Sequence, residues 1–267
     1  MDSSAGREEQ AGRGSVVILA GQHVSTNIIY NALRPSFNIR AVVLEERLPR
    51  SEFLSRRLHR LGAPQVLGQL LFRALLVPIL SATSSRRIAD IHQQYRLDDA
   101  PIPASEIAPV PSVNSAEAIA ILRELRPDVV VVNGTRIISE RVLTSVSARF
   151  INTHAGITPL YRGVHGAYWA LAQGRRDACG VTVHFVDPGI DTGTVIEQAL
   201  IEPAPSDNFV TYPLLQLAAG LPLLERAVRA ALRGEVVTKA PPEGESRLWS
   251  HPTLWGYLWL RLRRGVK

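Results

Sequence analysis

Two short segments hold the side chains best suited to chemistry. The first, FINTHAGITPLYRG at 150–163, closes a strand-like apolar run with Asn152 and His154, then enters a loop containing Gly156, Pro159 and Gly163. Residues two apart on a strand share a face, so an amide and an imidazole project together. The second, VDPGIDTG at 186–193, leaves another apolar run with two acids, Asp187 and Asp191, and with Gly189 and Gly193 for backbone freedom. A carboxylate beside an imidazole orients it and raises its basicity. An amide beside both is a good donor to a developing oxyanion. Taken singly, each residue has a plainer reading. A histidine at a strand end is more often structural than catalytic, and Asp187 in its D-P-G setting reads as a turn former.

The elements around these segments alternate between strand and helix. SVVILA at 15–20 is a buried strand. Ser25 or Thr26 can cap a helix that runs to Leu33, and IRAVVL at 39–44 is a second strand. That opening predicts a parallel sheet. The pattern breaks from Glu45 to about Asp99, where two or three Arg-rich helices are expected as an insertion. It resumes at Ile107 with a helix from Ser115 to Leu125, stopped by Pro127. DVVVVN at 128–133 has the valine run of a strand buried on both faces. A short helix after Ser139, strands at 149–153 and 180–186, and helices at 165–174 and 209–233 follow. The expected fold is α/β: a doubly wound, mostly parallel sheet, a Rossmann variant with a helical insertion at about 45–104. The polar, Gly-rich residues 1–14 read as a floppy tail, 15–235 as the main domain, and 236–267 as a short, separate appendage rich in Trp and Arg. In an open parallel sheet, ligands bind at the carboxyl ends of the strands, which is where Asn152 and His154 fall.

Composition narrows the classes. The chain has 267 residues, 46% of them apolar, which suits a folded domain rather than a disordered one. One cysteine, Cys179, excludes an internal disulfide framework and suits a reducing compartment; it reads as buried and inert. The N-terminus has no signal-peptide pattern. No apolar run reaches the ~18 residues of a membrane span, the nearest being 67–82, interrupted by Arg73 and Pro78. The net charge of +6 raises nucleic-acid binding. However, the arginines are scattered except at 47–60 and 261–267, which argues against it.

NTHAGITPLYRG followed by GVTVHFVDPGIDTG resembles the folate-dependent formyltransferase superfamily, which includes the glycinamide ribonucleotide, methionyl-tRNA and nucleotide-amino-sugar formyltransferases. Its signature is Asn-x-His before a Gly-ended loop, then a strand and an Asp-x-Gly loop; here Asp191 lies 37 residues after His154. The family usually has Pro and Ser after the His, where this chain has Ala155 and Gly156. The resemblance implies a formyltransferase-like fold and 10-formyltetrahydrofolate as co-substrate, with no metal. It implies that Asn152 and protonated His154 stabilise the oxyanion while Asp191 orients His154 and favours its charged form. It implies that Arg136, Ile137 and Ile138 in the loop after the central strand, with Val186, Asp187 and Gly189, bound the folate pocket. Gly21, Ser25, Thr26 and Asn27 resemble the phosphate-binding loop of the glycinamide enzymes, and a helix start suits a phosphate on its own terms. Arg162, Gly163 and His165 are further candidates to touch the acceptor. His23 and His184 are not obvious ligands, His184 reading as a packed or rim residue.

The expected partner is a small-molecule amine, with a nucleotide-linked amino sugar ahead of glycinamide ribonucleotide. Formyltetrahydrofolate hydrolysis and a non-catalytic binding role are the alternatives. The short C-terminal remainder argues against initiator tRNA as acceptor. A cytoplasmic setting is expected. The Trp/Arg tail allows peripheral contact with the inner membrane face, against a plainer reading in which its aromatics pack on the helical insertion. The sequence assigns no oligomeric state.

Overall fold

After Ser15, every residue of β1 (Ser15–Ala20) and of β4 (Val129–Asn133) is buried, as strands covered on both faces require. They form the centre of a seven-stranded sheet of order β3-β2-β1-β4-β5-β7-β8, in a computed structural model that describes residues 14–47 and 50–267, the side chains of 50–53 and 56 excepted. Of the tail expected at 1–14, all but Gly14 lies outside these residues. Strands β2 (Asn38–Glu45), β3 (Ile107–Val110) and β5 (Arg149–His154) continue the parallel part, while β7 (Gly180–Phe185) and β8 (Val195–Leu200) add an antiparallel edge. Helix α1 (Val24–Leu33) covers one face with its Ile29, Tyr30 and Leu33. The opposite face takes Ala118, Ile119 and Leu122 of the helix at Ala116–Leu125. The sheet is doubly wound, as the alternation of elements requires.

The insertion holds three helices: α2 (Arg50–Leu61), α3 (Ala63–Thr83) and α4 (Ser85–Tyr95). In sequence Arg73 and Pro78 break the apolar run, yet α3 is continuous over 21 residues, with a π-helical turn at Phe72–Leu76. That wide turn closes on a bond from the Val77 N–H to the Phe72 carbonyl just before Pro78, whose missing N–H then falls in the first turn of the following segment. The expectation that no apolar stretch reaches membrane-spanning length is therefore corrected: among the described residues α3 is long and apolar enough, with only 28% of its most apolar window buried.

Helix α5 (Ala116–Leu125) and the short α6 (Glu140–Leu143) lead into β5; α7 (Gly166–Ala172) follows it, and α8 (Tyr212–Arg233) is the long helix read from sequence at 209–233. Gly220 lets α8 lie close to the sheet, since a Cβ there would come within 2.9 Å of the Thr153 methyl. The appendage is docked rather than separate. Its β9 (Arg247–Trp249) pairs in parallel with β6 (Tyr161–Gly163), and Trp249 stacks on Trp169 at 4.6 Å. Helix α9 (Leu254–Arg264), capped by the Thr253 hydroxyl, buries Tyr257 against Phe72 and Tyr168. Strand β8 had no counterpart in the sequence reading.

Candidate active site

Strands β1, β4 and β5 are parallel and end at one edge, where β5 delivers Asn152 and His154. The antiparallel register of β7 sets His184 directly opposite Asn152 and Thr182 opposite His154, the spacing at which cross-strand side chains meet. Asn152 Nδ2 lies 3.1 Å from His184 Nε2. The loop after β7 then returns Asp191 between the two imidazoles. Its Oδ2 is 3.3 Å from His154 Nδ1 and accepts the Gly163 N–H at 2.9 Å, and its Oδ1 is 3.7 Å from His184 Nε2. Asp191 has a positive φ of 52°, a left-handed conformation that Asp tolerates better than most residues. Asn152, His154 and Asp191 thus come together as read from sequence.

His184 is the residue that sequence reasoning missed. It is 3% exposed, with Nδ1 2.7 Å from the Phe185 carbonyl and Nε2 3.1 Å from Asn152 Nδ2. Its place in GVTVHFV was visible, but the register opposite Asn152 was not.

Opposing influences act on the charge of His154. Burial pushes its pKa below the ordinary imidazole range, although Asp191 and the Tyr161 carbonyl act the other way. Its Nε2 lies 2.7 Å from the Tyr161 carbonyl and its Nδ1 faces Asp191, so both nitrogens meet acceptors. A neutral ring can satisfy only one of them, and an imidazolium satisfies both. The chain's departure at Ala155-Gly156 has a role here: a Cβ on Gly156 would come within 2.3 Å of the Tyr161 oxygen and 2.8 Å of His154 Nε2. For Asp191, burial works to raise the pKa, but His184, His154 and the Gly163 N–H together hold it below the ordinary carboxylate value.

These groups line a cavity of about 520 Å³. Arg136, Ile137 and Ile138 form part of its wall, as do Val186, Asp187 and Gly189. Ile137 is 55% exposed and offers an apolar surface, whereas Ile138 is buried. The Arg136 side chain is tied down by Glu45 and by the carbonyls of Glu46 and Pro111. Asp187 accepts from the Gly189 N–H and the Thr192 hydroxyl and shapes its own turn, as its D-P-G context suggests.

The proposed phosphate loop needs correction. Helix α1 starts after His23, and neither Ser25 nor Thr26 caps it. Thr26 is buried and donates to the Gly21 carbonyl; Asn133 Nδ2 donates to both hydroxyls, and Asn27 Nδ2 donates to the Asp99 carbonyl. Each of the three side chains thus holds at least one bond within the protein, while His23, packed over Gly21 and Gly134, lines the cavity. Gly163 also lines it, but Arg162 donates to the Ile190 carbonyl and braces the Asp191 loop. His165 turns away: its Nε2 is 3.0 Å from His251 Nδ1 and its ring packs on Phe209. Cys179 is buried, which pushes its pKa up to about 12 and leaves an inert thiol. Among the described residues, no group of three or more His, Cys, Asp or Glu side chains is arranged to hold a metal ion.

Residues 84–213 match the family model described as formyl transferase. Methionyl-tRNA formyltransferase of Kosmotoga olearia is 30% identical over 144 residues, 54% of this chain and 45% of that protein. The chain thus spans less than half the length of this curated relative. A sugar N-formyltransferase from Shewanella sp. superposes with a TM-score of 0.56 at 14% identity, covering 88% of this chain and 76% of the other. Glycinamide ribonucleotide transformylase 1 from Symbiobacterium toebii gives 0.55 at 19%, covering 86% and 92%. At such identities the likeness is one of fold. The segment that matches the formyl transferase model, 84–213, is the one that carries Asn152, His154 and Asp191 to the sheet edge, and the chain as a whole shares its fold with formyltransferases of known structure.

Proposed function

We propose that the chain transfers a formyl group from 10-formyltetrahydrofolate to the primary amine of a small, phosphorylated acceptor, with a nucleotide-linked amino sugar as the first candidate. The observation that carries this reading is Asp191 held between two imidazoles, beside an amide donor, on the wall of a cavity of about 520 Å³. That volume falls within the ~300–1,000 Å³ of small-molecule sites. Ile137, Ile138 and Val186 supply apolar wall, and Arg136, Asp187 and Gly189 complete the side that would hold the folate. The folate supplies the formyl group. Asn152 provides the amide donor for the negative charge that develops on a carbonyl oxygen. In this reading His154 takes up the proton released as the amine bonds to the formyl carbon and returns it to the folate nitrogen as the bond from that nitrogen to the formyl carbon breaks; between the two transfers the Tyr161 carbonyl and Asp191 both pair with the imidazolium. Gly163 and Arg162 fix the Asp191 loop from either side. The acceptor phosphate is assigned to the backbone at the start of α1 and to His23, in place of the side chains of Ser25, Thr26 and Asn27. A cytoplasmic setting belongs to the same proposal.

A second reading has a specific support: the matched curated relative acts, by its name, on methionyl-tRNA. Incubation with labelled 10-formyltetrahydrofolate and a panel of an amino-sugar nucleotide, glycinamide ribonucleotide and methionyl-tRNA separates the acceptors. Transfer to the amino-sugar nucleotide is expected. Transfer to methionyl-tRNA alone selects the second reading, and free formate without transfer selects hydrolysis.

A further inference from the structure

The outer surface of α3 and α9 is apolar, basic and free of acids. On α3, Leu67, Leu70, Leu75 and Ile79 are 45–57% exposed and follow one another along the outer side of the helix. On α9, Trp255, Leu258, Trp259 and Leu262 recur at i, i+3, i+4 and i+7, one helical face, with exposures from 42% to 87%. The two stripes meet where the Trp255 ring lies over Gly68, so close that a Cβ there would come within 2.4 Å of it. The inner sides of both helices are anchored. Phe72 and Tyr257 are fully buried and pack together at 5.1 Å, and Gln69 donates to the His251 carbonyl at 2.7 Å.

Charge identifies what covers this surface. Residues 53–89 and 246–267 hold eleven of the thirty basic residues and none of the twenty-four acidic ones. The rest of the chain is left with nineteen basic against twenty-four acidic residues, so the protein's positive excess resides wholly in these two segments. A face shared between two copies must complement itself. Here each copy would set exposed Arg73, Arg261 and Arg263 against the same cations, with no carboxylate from either segment to answer them. Tryptophans and leucines on one side, with arginines whose stems lie along apolar surface, suit the boundary between headgroups and acyl chains of an anionic bilayer.

We infer that α3 and α9 together form an interfacial face that seats the protein on anionic membranes, lying in the headgroup layer rather than crossing it. Although α3 has the length and hydropathy of a span, crossing would pull Phe72 out of its contacts with Phe209 and Tyr257. The face is joined to the active site through β9 and β6, whose Gly163 N–H holds Asp191.

Co-sedimentation of the full chain with vesicles of phosphatidylcholine, alone or mixed with phosphatidylglycerol, tests this. Binding is expected on the mixed vesicles, weakening as salt rises. W259E/L262E and, separately, L75E/I79E should each reduce it about tenfold or more. V237E, at another exposed apolar residue, should not. Circular dichroism and formyl transfer report whether each variant is folded. No sedimentation with the mixed vesicles, or equal binding by folded parent and variants, overturns the inference. So does a parent that dimerises in sedimentation velocity and is made monomeric by W259E/L262E without any vesicle binding, which would assign the face to a second copy.

Discussion

The sheet edge and the helical lobe hold their residues in different ways. At the edge, strand register and short polar bonds do the placing: His184 meets Asn152 because β7 pairs with β5 at that step, and Asp191 is held at once by a backbone N–H and two imidazoles. In the lobe, aromatic packing does it. Phe72, Phe209, Tyr168 and Tyr257 meet edge-on, tilted or stacked at 4.8–6.4 Å, and the outer surface is left apolar and basic. One region fixes a few atoms to within hydrogen-bond reach; the other fixes a shape and presents a surface. Substitutions should separate accordingly, with chemistry lost at the edge and stability or association lost in the lobe.

The largest expected effect is in the lobe. Phe72→Ala removes a fully buried ring at the crossing of α3, α9 and the loop before α8. Loss of about 3–5 kcal/mol of unfolding free energy is expected, read from the urea midpoint, with turnover of the folded fraction within about twofold of the parent. A folded Phe72→Ala protein with parental stability and collapsed turnover would break the comparison, because the lobe would then be part of the site.

At the edge the expected losses are in rate. Asp191→Asn keeps the shape and removes the charge that an imidazolium needs, so turnover should fall ~10² or more with the unfolding midpoint little moved. His154→Ala should cost at least as much. The pair should cost less than the sum of the two, because the residues share one proton and one set of contacts. Near-parental turnover in His154→Ala would remove it from the mechanism. A smaller loss, about tenfold, is expected for His184→Gln. His184 acts through Asn152 and Asp191, so its substitution should also displace the pH profile of turnover, whereas a merely structural role would lower the rate at every pH alike.

The same division governs what could be read from the sequence. The valine run of β4 and the alternation of strands and helices show in composition and periodicity, so the doubly wound sheet was legible. So was the meeting of Asn152, His154 and Asp191, which the two motifs imply through their resemblance to the formyltransferases. Four features were not. His184 depends on an antiparallel register between strands 32 residues apart at the bonded positions, and periodicity cannot state register. The direction in which the His154 pKa moves depends on burial set against its carboxylate, which spacing cannot weigh. Ser25, Thr26 and Asn27 look like a phosphate loop, but their side chains bond to Gly21, Asn133 and Asp99 across the fold. The continuity of α3 through Pro78 was hidden because a π turn leaves no sequence period of its own.

The seam between the two regions gives the finest test, and the smallest effect. His165, at the start of α7, and His251, just before α9, meet at 3.0 Å. Burial first, then His251 and Arg73, push His165 down to about 3; burial first, then Arg57 and Arg73, push His251 down to about 4. As pH falls through the ordinary imidazole value of 6.5, the unfolded chain takes up protons that the folded seam refuses. The unfolded state then binds more protons, so stability declines as pH drops from about 6.5 to about 4. Asp191, held below its ordinary value, adds a separate loss only at lower pH, as it protonates. His251→Gln removes one of the two seam imidazoles. The fall in Tm between pH 6.5 and 4.5 should become shallower by about 2–4 °C, while the pH profile of turnover stays where it was. If the profile moves with the Tm curve, seam and site titrate as one unit and the division drawn between edge and lobe does not hold. If neither moves, the His165–His251 pair is not what couples this protein's stability to pH.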